Sequence, residues 1–177
     1  MARLAGEFLR RAQVLVERYP DSRSALLPLL YLAQEQDGYV TNDAMAHIGE
    51  LLDLSSAEVL GTASFYTMFK RERTGKYLVS VCTNLTCLIE GAADVMHHVE
   101  QRLGVKPGQT TADGLFTLEH AECLAACGGA PCLQVNYRFF EKVTTESFDQ
   151  LVDDLRSGRL ASEVPVHGVI NRVRESR

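Results

Sequence analysis

Five cysteines in 177 residues, four of them in two close pairs, constrain this chain more than any other feature. Cys82-x4-Cys87 is followed, after 35 residues, by Cys123-x3-Cys127, and Cys132 is left over. An odd count argues against a closed disulfide framework, and a reducing cytoplasm would not maintain one. A thioredoxin-type dithiol needs Cys-x-x-Cys, which is absent. Metal binding or other thiol chemistry remains.

The segments around these pairs differ in kind. Residues 1–75 read as a small helical bundle. Leu4, Phe8, Ala12, Leu15 and Val16 recur at helical spacing up to Pro20. Leu26, Leu27, Leu29, Leu30 and Ala33 mark a second helix, stopped by Gly38. Thr41 caps a third through Leu52, and Ser55 or Ser56 caps a fourth towards Ser64. From residue 76 to 158 the pattern is strand, helix, strand, strand, strand, helix, an α/β (α+β) arrangement with a mixed sheet. Its strands are expected at Tyr77–Val81, Leu115–Glu119, Leu133–Asn136 and Phe139–Val143. Leu88, Ala92, Val95, Met96, Val99 and Leu103 mark one face of its first helix, closed by Gly104. Its last helix starts at Thr144 or Thr145 and stops at Gly158. Residues 159–177 read as a tail without clear periodicity. Arg172, Arg174 and Arg177 are most simply a solvated basic end, with docking on a partner as the alternative.

Charge excludes several functions. The net charge is −5, with 9 basic and 10 acidic residues up to Lys76 and 9 basic and 13 acidic after it. That leaves no footprint for nucleic acid and a poor surface for an anionic membrane. The longest apolar stretch, Ala25 to Ala33, is broken by Pro28 and falls short of the ~20 residues of a membrane helix. The N-terminus has no continuous apolar core, and no apolar segment follows Arg10-Arg11 as an export signal would require. A cytoplasmic protein without direct membrane insertion is expected. No G-x-G-x-x-G, Walker loop or nucleophile–base–acid set appears. A chain of this kind is expected to relay rather than complete a reaction.

Both cysteine pairs fall just after predicted strands, and in an α/β sheet such loops gather at one end. Four thiolates are the usual complement of a [2Fe–2S] centre. Gly128, Gly129 and Ala130 allow backbone N–H groups to approach cluster sulfurs closely. Two ferric ions, two sulfides and four thiolates sum formally to −2, and one electron makes −3. Glu119 and Glu122 would lower the potential if aimed at that charge, and at least one of them is expected to face water instead. A structural zinc site also takes four cysteines in such pairs, so spacing leaves zinc open. A Rieske centre would need two histidines. His120 precedes Cys123 without a Cys-x-His pairing, His97 and His98 fall within a helix, and His47 and His167 lack metal-like neighbours. Cys127-x4-Cys132 repeats the first spacing, so Cys132 stays open as a ligand, although its place after Pro131 suits a small buried residue.

Several segments carry a specific resemblance. They are Val81-Cys-Thr-Asn-Leu-Thr-Cys87, Gly104 to Leu118, Glu122-Cys-Leu-Ala-Ala-Cys-Gly-Gly-Ala-Pro131, Gln134-Val-Asn136, Ala63 to Phe69 and Gly75-Lys-Tyr77. Over roughly residues 24–157 the chain resembles the thioredoxin-like [2Fe–2S] subunit of NADH:quinone oxidoreductase (respiratory complex I). The resemblance implies a thioredoxin-like [2Fe–2S] ferredoxin domain following the helical bundle. It implies that Cys82, Cys87, Cys123 and Cys127 hold one [2Fe–2S] cluster, which weighs against zinc. It also implies a partner flavoprotein subunit that binds FMN and NADH, and further iron–sulfur subunits, in the peripheral arm of a membrane-associated complex. The chain would be a redox subunit of that oxidoreductase, inactive when isolated. The diaphorase subunit of an NAD-linked hydrogenase or formate dehydrogenase shares these motifs and is the alternative; a zinc-binding interaction module is the alternative of another class. Three residues depart from the family pattern: Ala125 where glycine is common, Gly129 where a polar residue is common, and Cys132 where valine or methionine is common.

Overall fold

A computed structural model describes residues 3–165, and the chain divides into two compact units, one through Arg73 and one from Thr74. The first unit is helical: α1 (Gly6–Glu17), a 3₁₀ turn (Ser22–Ala25), α2 (Leu26–Asp37), α3 (Asn42–Leu52) and α4 (Ser56–Phe65). Local chemistry sets these boundaries. The Asp21 carboxylate accepts from the Arg23 N–H and starts the 3₁₀ turn, an element the apolar periodicity alone does not announce. The Thr41 hydroxyl accepts from the Ala44 N–H, and Ser55 with Glu58 forms a reciprocal capping box. Leu29, Leu30, Ala33, Ile48 and Val59 fill the core between the helices. Gln34 is fully buried among them and is satisfied on both sides. Its amide donates to the Met68 carbonyl at 3.0 Å, and its oxygen accepts from the Lys70 N–H at 2.6 Å, which ties the segment after α4 to α2.

The second unit is a four-stranded mixed sheet in the order β2-β1-β3-β4, built from β1 (Tyr77–Cys82), β2 (Phe116–Ala121), β3 (Leu133–Val135) and β4 (Arg138–Phe140). β1 is central, parallel to β2 and antiparallel to β3, and it is buried along all six residues. Helices α6 (Ala92–Leu103) and α7 (Thr145–Ser157) contribute Val95, Val99, Phe148 and Val152 to the core that covers Val79, Phe116 and Leu133. The expected α/β class with a mixed sheet is what forms.

Three local departures from expectation have physical causes. The helix expected from Leu88 to Leu103 is two helices, because Gly91 takes a left-handed φ of +94° and separates the short α5 (Leu85–Ile89) from α6. Leu88 consequently leaves the core face and is 50% exposed. β4 is shorter and earlier than the expected 139–143. Asn136 and Tyr137 at φ +47° and +74° make the two-residue turn from β3, and Lys142 at φ +51° ends the pairing. Asn136 is buried. Its oxygen accepts from the Leu78 N–H at 2.7 Å and its amide donates to the Lys76 carbonyl at 2.9 Å, which locks the turn to the start of β1. The segment after Gly158 adds Val164 and partly Leu160 to the sheet core. Arg172, Arg174, Arg177 and His167 lie outside the described residues.

Gly75 sits where a Cβ would lie 2.9 Å from backbone atoms of Leu115 and Phe116, so no side-chain motion can make room for one. Gly75→Ala is expected to cost about 1–3 kcal/mol in urea unfolding, by overpacking against main chain. Gly61→Ala, with nothing within 4 Å of its added Cβ, is the control that should not destabilise.

Candidate metal centre

The strongly apolar β1 runs through the sheet and ends on Cys82, so the sulfur of that residue is delivered at the edge of a buried core. Antiparallel pairing sets Val81 opposite Leu133, and the Cys82 N–H donates to the Cys132 carbonyl at 3.1 Å. The sheet register therefore places Cys82 and Cys132 side by side. Asn84 then caps α5, its side chain accepting from the Leu85 N–H at 2.8 Å, and this one short helix turns Cys87 back inward. The three sulfurs lie within 4.8 Å of one another, with Cys87 and Cys132 at 3.7 Å. All three residues are buried, packed with Ala92 and flanked by Leu124, Ala126 and Ala130.

Cys123 and Cys127 do not belong to this group of three. They occupy an exposed loop that follows β2. β2 runs parallel to β1 with Ala121 opposite Cys82, so both loops leave the sheet at the same end, and the Thr83 N–H donates to the Ala121 carbonyl at 3.2 Å. The second loop also reaches the buried cysteines, because Leu124 packs against the group formed by Cys82, Cys87 and Cys132. The Ala125 N–H donates to the Cys123 sulfur at 3.4 Å. Ala125 holds a left-handed φ of +55°, a conformation that glycine adopts without strain, and this explains why glycine suits the position. Cys127 opens a 3₁₀ turn through Gly129. The glycines there do not act alike: Gly128 faces open space, whereas a Cβ on Gly129 would overlap the Glu141 side chain. Gly129 thus makes room for Glu141 rather than for a ligand.

The electrostatics of the three buried thiols are unequal. Burial raises the Cys82 thiol, but N–H groups of Asn84 and Leu124 and the thiols of Cys87 and Cys132 outweigh it, and the net shift is downward. Burial pushes the Cys87 thiol up, only partly opposed by the Cys132 N–H. Burial and the neighbouring Cys87 and Cys82 push Cys132 up to about 12. Cys82 is thus the most easily ionised of the three, and thiolates on the other two need a cation beside them. That is the situation in which a bound metal ion deprotonates a thiol outright.

Other candidate ligands lie outside the buried group of three cysteines. His98 pairs with Asp149 at 2.9 Å and His97 with Gln101 at 2.9 Å, both on the α6 side, while His47 lies within α3. His120 is exposed on β2. Glu119 accepts from the Ser80 hydroxyl at 2.7 Å, and Glu122 is exposed, as expected of at least one of the two. An all-sulfur donor set, N–H groups aimed at sulfur and an apolar surround fit an iron–sulfur centre. The expectation that Cys132 is small and buried holds, but the residue is also in contact with Cys87. Its sequence signal is the repeated x4 spacing, which does not distinguish a ligand from a neighbour.

Among known families, the model of the thioredoxin-like [2Fe-2S] ferredoxin matches residues 12–156. The chain is 49% identical over 146 residues to an NADH-quinone oxidoreductase subunit of Mycobacterium tuberculosis, covering 82% of this chain and 58% of that protein. It is 39% identical to the subunit of the same name from Rickettsia felis, over 82% of this chain and 89% of the relative. It is 36% identical to NADH-quinone oxidoreductase subunit 2 of Thermus thermophilus, over 85% of each. The chain therefore spans little more than half of its mycobacterial relative and most of the other two. Its fold also matches a chain in the crystal structure of an NAD+-reducing [NiFe]-hydrogenase in the air-oxidized state. That match has a TM-score of 0.68 and 23% identity, over 80% of this chain and 24% of the other. Among the described residues no helix is long and apolar enough to cross a membrane. With the matched family spanning nearly the whole described chain, and buried cysteines converging at one end of the sheet, this protein belongs to the thioredoxin-like [2Fe-2S] ferredoxin family.

Proposed function

We propose that this chain is the electron-transfer subunit of an NADH:quinone oxidoreductase and holds one [2Fe–2S] cluster on Cys82, Cys87, Cys123 and Cys127. The observation that carries the reading is the meeting of the two cysteine loops at one end of parallel strands, with Leu124 of the second loop packed against the buried cysteines of the first. A [2Fe–2S] cluster, when bound, supplies a one-electron carrier. The residues of this chain do the rest. Cys82 and Cys87 supply the buried pair of thiolates, and Cys123 and Cys127 the exposed pair. N–H groups of Asn84, Leu124 and Cys132 offset negative charge on the buried sulfurs. Leu124, Ala126 and Ala130 shield them from water.

The cluster domain is assigned to residues 76–158, following in sequence the bundle of residues 1–75, with 159–177 as a C-terminal tail. A partner flavoprotein subunit would bind NADH and FMN, with further iron–sulfur subunits beside it in the peripheral arm of a membrane-associated complex. Leu85, Leu88 and Ile89 on α5 are exposed apolar side chains beside the centre, a surface of the kind that a partner subunit covers. The fold likeness to an NAD+-reducing hydrogenase keeps one second reading, a diaphorase subunit of a hydrogenase. Copurification separates them: quinone reduction by NADH in the intact complex supports the first reading, and hydrogen oxidation supports the second.

Anaerobically purified protein is expected to contain about two irons and two acid-labile sulfides per chain and to give a one-electron EPR signal after dithionite. One zinc and no sulfide would make it a structural zinc module instead. Cys82→Ser, Cys87→Ser, Cys123→Ser and Cys127→Ser should each lose or strongly alter the visible and EPR spectra, while Cys132→Ala should retain the iron. The isolated chain should not oxidise NADH, and a measurable rate in a flavin-free preparation would contradict its role as a relay.

A further inference from the structure

Cys132 is the one cysteine that the proposed ligand set leaves unused, and it is not isolated. Its sulfur lies 3.7 Å from the Cys87 sulfur, its residue is 2% exposed, and its carbonyl is held by the Cys82 N–H at 3.1 Å. The pairing of β3 with β1, which continues to the Cys82 N–H on the Cys132 carbonyl, holds the Cys132 thiol against one proposed ligand atom.

From this placement we infer that the Cys132 thiol donates an S–H···S hydrogen bond to the Cys87 sulfur and so raises the reduction potential of the cluster. The inference rests on the cluster assignment proposed above. Either sulfur could be the donor when both are thiols. Once Cys87 is bound to iron as a thiolate it can only accept, so the proton of the pair stays on Cys132. A third thiolate in the same buried place would add charge to a centre that already carries −2, at a high desolvation cost. Reduction adds one further negative charge, spread in part onto the ligand sulfurs, and a hydrogen bond to a sulfur strengthens as its charge grows. The reduced state therefore gains more from the donor than the oxidised state does. No bond is made or broken, and the S–H proton stays on Cys132. Valine or methionine at this position would pack as well but offer no such donor.

The test is an EPR-monitored redox titration of the purified, cluster-containing full chain, with iron and sulfide content measured alongside. Cys132→Ala and Cys132→Val should keep two irons and two sulfides while reduction becomes about tenfold less favourable, a fall of about 59 mV for one electron. Cys132→Ser keeps a hydroxyl donor and should stay near the wild-type potential. Packing alone predicts the opposite ranking, because valine fills the space better than serine in this apolar surround. An unchanged potential in the alanine and valine variants, with clusters intact, overturns the donor role and leaves the cluster assignment standing. Loss of iron from Cys132→Ala overturns it too, since Cys132 would then be a ligand. Absence of iron and sulfide from the wild-type chain overturns both the inference and the reading beneath it.

Discussion

A thiolate cannot be placed at the end of a fully buried strand unless something nearby offsets its charge. β1 has no exposed residue, and its last residue is Cys82. Everything around that sulfur answers the same electrostatic demand. The backbone N–H groups of Asn84 and Leu124 and the thiols of Cys87 and Cys132 favour its charged form and draw it down against burial. Cys87 and Cys132 lack enough of this support, and burial pushes both thiols up. The low dielectric that makes the sheet stable thus makes its end a place where multiple thiolates exist only with a cation.

Strand direction decides how the second half of the site is built. Because β1 and β2 are parallel and in register at Cys82 and Ala121, a loop separated by dozens of residues in sequence emerges beside the first. It remains at the surface, so Cys123 and Cys127 are exposed while Cys82 and Cys87 are not. The buried pair sits where burial and hydrogen bonds tune charge most strongly. The exposed pair sits where a partner can approach. In the proposed relay of single electrons, this asymmetry would separate the control of potential from the route of transfer.

Much of the fold is legible from residues alone because its determinants are local. Thr41 caps its helix as expected, Ser55 is the cap of the two expected candidates, and Thr144 caps the helix expected to begin there or at Thr145, since each hydroxyl needs only the N–H three residues ahead. The buried strand at Tyr77 and the stop at Gly158 are equally local. The features that escape such reading depend on something further away or on a backbone sign. Leu88 fits the apolar stripe of α6, yet the left-handed turn at Gly91 rotates it out. β4 starts at Arg138 because Asn136, bonded to both Leu78 and Lys76, forces the tight turn that precedes it. Gly129 reads as a glycine that lets a ligand approach, but the Glu141 side chain occupies the space beside it.

The chemistry of this protein is written in residue type and short spacing, which need no fold to be read. Two cysteine pairs and a fifth thiol, a helical half followed by a strand-rich half, and motifs specific enough to place the family all belong to that level. Which sulfurs meet is a matter of tertiary structure. Cys132 and Cys82 become neighbours through antiparallel strand pairing, and Cys87 joins them through one turn of α5, neither of which spacing along the chain can specify. Sulfur-to-sulfur contact here is set by sheet register and burial, and those depend on long-range packing of the whole sheet against α6 and α7.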